Sequence, residues 1–138
     1  MIRERLLIDT VFVQGLINRR DQHHALVRSF VSRMEVAEVW ITEAILMEIA
    51  NALSAIDRQG AADFIRGCYN TPNMNVVAVD SPLFMRGLDL YEDRPDKEWS
   101  LTDCISFLVM KDKGLAEALT TDHHYRQAGF LPLLLDAP

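Results

Sequence analysis

An aspartate closes the first apolar run of the chain, Leu6-Leu7-Ile8-Asp9-Thr10, and three more acids stand at comparable breaks downstream. Glu48 lies in a helical segment, Asp103 at a helix start, and Asp122 just after a strand-like run. In an open α/β fold, ligands bind in the crevice outside the carboxyl ends of the strands. Carboxylates gathered there are hard oxygen ligands, suited to divalent cations and ill suited to gripping an organic substrate. Four of them in one cleft repel each other strongly at low effective dielectric, and a fold keeps such a set only with compensation. Bound Mg²⁺ or Mn²⁺ supplies it, and the same ion orients a phosphate, acidifies water and stabilises a leaving oxygen. The pattern points to metal-dependent phosphodiester chemistry.

Each acid also has a structural reading. Asp9 follows a strand and precedes a helix, which is an N-cap position. Glu48 comes three residues after Ile45 and four before Ala52, so it shares their side of the helix, and Asn51 follows one turn later. A carboxylate beside an apolar stripe loses hydration and needs a partner, whereas Glu43 and Asp57 are expected on the solvated face. Ser100-Leu101-Thr102-Asp103 fits a capping box with aspartate in place of glutamate. Thr121-Asp122 precedes a helix and also reads as a cap. A capping aspartate and a metal ligand can be one residue. What distinguishes the set is that Asp9 and Asp122 both fall at strand ends, with Glu48 and Asp103 on helices able to face the same edge.

Other chemistries find less support. The histidines come as His23-His24 and His123-His124, without zinc-type spacing and without HExxH. They read as surface or helix-start residues, His124 being placed to touch substrate. Trp40, Trp99, the phenylalanines and the methionines read as core. There is no GxGxxG, P-loop or GxSxG. A haloacid-dehalogenase phosphatase needs an acid two residues after its nucleophile, where this chain has Val11. A receiver domain needs paired acids near its first strand and a lysine closing a late one, and neither is evident.

At 138 residues the chain is expected to form one domain, residues 1–138, with 49% apolar and 25% charged residues. A net charge of −6 argues against a broad electrostatic grip on nucleic acid, although cations held by the acids would offset part of it. The basic residues are scattered in small groups, Arg3/Arg5, Arg19-Arg20 and Lys111/Lys113. No apolar run reaches the ~18 residues of a membrane span, and Asp9 interrupts any secretory h-region. Cys68 and Cys104 form no CxxC pair and read as reduced, buried thiols of a cytoplasmic protein.

The elements that must position the acids follow from periodicity. Leu6 to Asp9 reads as a buried strand and Thr10 to Ile17 as a short helix. Asp21 caps a helix through about Met34, with Ala25, Leu26, Phe30 and Val31 facing in. Phe12, Ile17 and this helix are either core or an apolar groove for a partner helix. Val36 to Ile41 is strand-like. Thr42 caps a helix with the stripe Ile45, Ile49, Ala52, Leu53 and Ile56, broken by Gly60 before another helix to Tyr69. Asn75 to Val79 is a β-branched strand, and Asp80-Ser81-Pro82 starts a helix to Tyr91. After a charged loop, Glu92 to Glu98, Ser100 opens a helix through Lys111, closed by Gly114. Ala116 to Thr120 is a strand, Asp122 to Gln127 a helix closed by Gly129, and Leu131 to Leu135 an edge strand weakened by Pro132. Strands alternating with helices predict an α/β fold, a parallel sheet covered on both faces.

With these residues in place, the chain resembles the PIN domain (PilT N-terminal) family of nucleases. The likeness runs through Leu7-Ile8-Asp9-Thr10, then Ile41-Thr42 with Glu48 and Asn51, then Asp96 to Cys104. It ends with Leu119-Thr120-Thr121-Asp122-His123-His124-Tyr125 and Ala128-Gly129-Phe130. The resemblance implies a three-layer α/β/α sandwich with a mostly parallel five-stranded sheet. It implies a Mg²⁺ or Mn²⁺ site of Asp9, Glu48, Asp103 and Asp122, and endoribonuclease activity on RNA. Thr10, Asn51, Ser100, Thr102, Thr120, Thr121 and His124 would stand around the ligands or meet the phosphate. Many small members are VapC-type toxins, which form homodimers and are silenced by an antitoxin whose tail covers the site. Members often carry an acid two residues after the fourth one, where this chain has His124. The alternative within the resemblance is a PIN fold used as a nucleic-acid-binding or assembly module, with little or no nuclease activity.

Overall fold

The structure is a computed structural model that describes residues 2–135, with side chains from residue 4 onward. The side chain of Arg3 and the last three residues lie outside the described part. The elements are β1 (Ile2–Ile8), α1 (Thr10–Ile17), α2 (His24–Arg33), β2 (Glu35–Thr42), α3 (Glu43–Leu53) and α4 (Arg58–Asn70). They continue as β3 (Met74–Val77), α5 (Ser81–Asp93), α6 (Leu101–Lys113), β4 (Glu117–Leu119), α7 (His123–Gln127) and β5 (Leu131–Pro132).

The five strands form one parallel sheet in the order β3-β2-β1-β4-β5. The central strand β1 carries Leu6, Leu7 and Ile8, all buried, as a parallel strand covered on both faces must. From β1 the chain steps outward through β2 to β3, then crosses back to β4 and β5 on the other side. Right-handed crossovers therefore put α1 to α4 and α5 to α7 on opposite faces. The strand order reverses between β1 and β4, which pair Ile8 with Leu119. That reversal opens a crevice at their carboxyl ends. On the α6 side, Phe107 stands edge-on to Trp99 and to Tyr125, each with centroids 5.0 Å apart. This aromatic cluster ties α6 to α7 and fixes the acids at their starts relative to one another.

Several local expectations are corrected. β1 begins earlier than its apolar run, because Ile2, Arg3 and Arg5 pair with Glu35, Val36 and Glu38 of β2, and Arg5 meets Glu38 at 2.6 Å. The inward face of α2 is Val27 and Phe30; Ala25 is exposed and Val31 is 48% exposed. The N-cap is His23 rather than Asp21, whose carboxylate instead accepts the His23 backbone N–H in a turn. In α3, Leu46 joins Ile45, Ile49 and Leu53 inside, Ala52 lies on the outer face, and Ile56 is exposed beyond the end of the helix at Leu53. Gly60 breaks nothing. It sits in the first turn of α4, where a Cβ would lie 2.3 Å from the carboxylate of the capping Asp57. Glu43 is not simply solvated, since it accepts from Tyr69 and from the Val79 backbone. The last strand stops at Pro132, at the sheet edge. Met47 and Met85 are 65% and 52% exposed, so the methionines are not all core.

Candidate active site

Asp9 is the first residue beyond β1 and only 5% exposed. Its backbone N–H donates to Leu119 O of β4, so both strand ends converge on it. Its carboxylate accepts the Thr120 hydroxyl at 2.9 Å on Oδ2 and the Tyr125 hydroxyl at 3.1 Å on Oδ1. The Thr120 hydroxyl in turn accepts the Asp122 backbone N–H at 3.0 Å, which couples the end of β4 to the cap of α7. Asp9 is at the N-cap of α1 but its side chain makes no capping bond.

The neighbouring Thr10 donates its hydroxyl to Glu48 Oε1 at 2.6 Å, across 38 residues of sequence. Glu48 is half-buried on α3 and lines a cleft of about 710 Å³ between α3, α4, α5 and α6, together with Asn51 and Thr102. On α6, both halves of the capping box form: Ser100 Oγ accepts the Asp103 N–H, and Asp103 Oδ2 accepts the Ser100 N–H. Asp103 is 8% exposed. Asp122 caps α7 by accepting the His124 N–H at 2.9 Å. The His124 ring lies between the two acids, with Nδ1 at 3.2 Å from both Asp103 Oδ2 and Asp122 Oδ1. Thr121 is half-buried next to Asp122.

The four acids thus form a linked series: Glu48 through Thr10 to Asp9, Asp9 through Thr120 to Asp122, and Asp122 through His124 to Asp103. Among the described residues, Asp122, His123 and His124 form a group whose possible ligand atoms lie mutually within 4.8 Å. Sequence reasoning missed Tyr125 as a donor to Asp9. Its bond spans 116 residues, and nothing local marks a buried tyrosine as different from other core aromatics.

Burial raises the Asp9 pKa from 3.8 to about 6; the Thr10 N–H and the Thr120 and Tyr125 hydroxyls oppose the rise, and the charge of Asp103 adds to it. Burial likewise raises Asp103, opposed by the Ser100 N–H and His124 and reinforced by Asp122. Burial, with the Asp9 charge beneath it, lifts the Tyr125 phenol well above its ordinary value, so it acts as a donor. The site therefore carries more negative charge than its own hydrogen bonds relieve. Carboxylate oxygens are hard donors, and an excess of them in a partly dry crevice fits a divalent cation.

The chain matches the family described as PIN domain over residues 6–131. No curated protein matches it. Among solved structures it is similar to VapC20 of Mycobacterium tuberculosis, titled a Sarcin-Ricin loop cleaving toxin. That likeness has a TM-score of 0.83 and 23% identity, covering 93% of this chain and 98% of the other. It is also similar to FitAcB from Neisseria gonorrhoeae, at a TM-score of 0.63 and 14% identity over 99% of each chain. At these identities the two likenesses speak for the fold.

Proposed function

This chain belongs to the PIN domain family, and from that premise we propose that it is a metal-dependent endoribonuclease, residues 1–138 forming one nuclease domain. The observation that carries the reading is Asp9: a buried carboxylate at the strand-order reversal, gripped by two hydroxyls and linked through Thr10, Thr120 and His124 to three further acids. Asp9, Glu48, Asp103 and Asp122 would hold Mg²⁺ or Mn²⁺. Such an ion supplies positive charge to a phosphodiester and acidity to the attacking water.

The chain's own residues do the rest. Tyr125 and Thr120 fix the plane of the Asp9 carboxylate and leave further lone pairs on each oxygen free. Thr10 orients Glu48 toward the same edge. The capping box holds Asp103 without using its Oδ1. The cleft that begins at Glu48, Asn51 and Thr102 would take the RNA strand, and Tyr69 and Phe84 along it offer faces on which bases can stack.

We assign the chain the role of toxin in a toxin–antitoxin pair, as a cytoplasmic homodimer. Two surfaces favour partners. A second cavity of about 380 Å³ is lined by Phe12, Leu16, Phe30, Val31, Met34 and Phe64, on α1, α2 and α4, and suits the apolar face of an antitoxin helix. On α5, Leu88 and Tyr91 are exposed one turn apart, as a face for a second copy. Among the described residues no helix is long and apolar enough to cross a membrane, and Cys68 and Cys104 are free and buried.

The test is cleavage of structured RNA with Mg²⁺ or Mn²⁺, beside Asp9→Asn. The expected result is cleavage that requires the metal and falls at least about 100-fold in the variant. Cleavage that survives both the substitution and EDTA would overturn the assignment.

A further inference from the structure

The cleft that reaches the acids is short of positive charge. Glu43 and Glu48 are the charged residues in its wall, and both are acidic. The apolar cavity on α1, α2 and α4 has no basic residue in its wall either. An RNA strand brings one negative charge per nucleotide, and the phosphates beyond the scissile one need basic side chains. A chain with a net charge of −6 has few to spare. Some are already spent: Arg5 on Glu38, Arg86 on Asp112 and Arg94 on Asp96.

A third cavity, of about 420 Å³, answers this need. It lies between α3 and α4 and shares Ala50, Ile65 and Tyr69 with the cleft, so the two adjoin. Arg58 and Arg66 line it, and both are exposed. Among the described residues neither guanidinium has an acidic partner. The two stand about 12 Å apart along α4, on the face that also carries Ala62 and Tyr69. Ala61, Ala62 and Ala50 are small side chains that let a ligand lie close to the helix. Tyr69 stands at the junction of the two cavities. Its ring is 55% exposed, while its hydroxyl donates to Glu43 Oε2 at 2.6 Å and Glu43 Oε1 accepts the Val79 N–H at 3.1 Å. The ring is therefore fixed at its tip and open to solvent, as a stacking platform must be.

We infer that Arg58, Arg66 and Tyr69 form an RNA-backbone subsite on α4, where a single strand leaving the acidic crevice stacks a base on Tyr69 and lays its flanking phosphates against the two arginines. The inference deepens the nuclease reading and takes its ligand class from it. Charge complementarity and chemistry favour that ligand. Unpaired guanidiniums suit phosphate oxygens, and an aromatic ring between them and the crevice suits bases, which an acidic peptide lacks.

The experiment reads binding, so it does not depend on cleavage. A fluorescein-labelled single-stranded RNA of about 12 nucleotides is titrated with the full chain carrying Asp9→Asn, by anisotropy, from low to moderate salt. Arg58→Ala and Arg66→Ala are each expected to weaken binding about fivefold at low salt. Each should also make the slope of log affinity against log salt shallower by about 0.7, the value for one phosphate of a single strand. Arg58→Lys and Arg66→Lys should keep the slope. Tyr69→Ala should weaken binding about tenfold with the slope unchanged, because stacking carries no charge. Arg28→Ala, at an exposed position on α2 outside both cavities, should change neither. An unchanged slope in both arginine variants, an equal loss in Arg28→Ala, or no binding at low salt would overturn the proposal. So would displacement of the RNA by poly-glutamate as readily as by poly-uridylate at equal charge, which would mark a surface for an acidic protein. The nuclease reading fails separately. RNA held with this arginine dependence but never cut by the wild type with Mg²⁺ or Mn²⁺ leaves the subsite standing and removes the chemistry. Cleavage whose kcat/KM is the same in both arginine variants keeps the chemistry and removes the subsite.

Discussion

Replacing Asp9 with asparagine should stabilise the metal-free protein while destroying its chemistry. Burial moves the carboxyl from 3.8 to about 6. At 1.36 kcal/mol per pKa unit, holding that group ionised in the folded state costs about 3 kcal/mol. The sign follows from proton counting. Between pH 3.8 and about 6 the folded protein keeps a proton that the unfolded chain has lost. Stability therefore falls as pH rises through that window and is flat above it. Asparagine carries no charge, and its contribution does not change with pH. It does bring an NH₂ where the Thr120 and Tyr125 hydroxyls both donate, and one donor left without an acceptor costs about 1–2 kcal/mol. The net expectation without metal is that the variant is more stable than wild type by about 1–2 kcal/mol at pH 8 and less stable at pH 4, where the folded Asp9 is protonated and most of the cost of its charge is gone. Urea denaturation in EDTA at the two pH values, followed by the fluorescence of Trp40 and Trp99, measures the difference. Adding Mn²⁺ at 100 times its dissociation constant should raise the wild type by about 2.7 kcal/mol and the variant by much less. A variant that is destabilised at pH 8 in EDTA, or a wild-type minus variant difference that does not change with pH, would show that Asp9 is a structural residue and not a charge held for a cation.

The smaller perturbations act through neighbours. Thr10→Val removes the hydroxyl on Glu48 and keeps the shape; RNA cleavage should fall about 10-fold with stability changed by less than about 1 kcal/mol, and Thr10→Ser should restore it. An unchanged rate would remove Thr10 as a positioning residue. Ser100→Ala breaks the capping box and should cost about 1 kcal/mol by urea denaturation. The Asp103 carboxylate keeps its bond to the residue-100 N–H, so metal affinity should drop by less than about tenfold. A larger loss would mean that the hydroxyl itself orders the site.

What the sequence made legible was local. A strand that ends in aspartate, a threonine that caps α3, and a serine three residues before an aspartate are signals carried by four or five adjacent residues, and the structure has each of them. The parallel sheet followed from the alternation of apolar runs and helical stripes. Hidden were the things that depend on a partner far along the chain. Tyr125 on Asp9 is one, and His124 between Asp103 and Asp122 is another. The apolar stripe of α3 is shorter than its periodicity suggests, because nothing in Ile56 itself says that the helix stops at Leu53. Gly60 has the sequence look of a breaker, yet its missing side chain makes room for the carboxylate that caps the helix it sits in.

The capping and ligand readings of these aspartates were never exclusive, and the oxygens show why. An ionised carboxylate has about four lone-pair directions, and a cap uses one. Asp103 spends Oδ2 on Ser100 and keeps Oδ1. Asp122 spends Oδ1 on the His124 N–H, and its Oδ2 takes no hydrogen bond among the described residues. Caps favour the ionised form and hold the side chain in one rotamer, which are the two things that a cation requires of a ligand before it arrives. Asp9 makes no cap bond, and tertiary hydroxyls do this work for it. Its role is therefore the one that a local rule explains least, and its substitution is the sharpest test of the site.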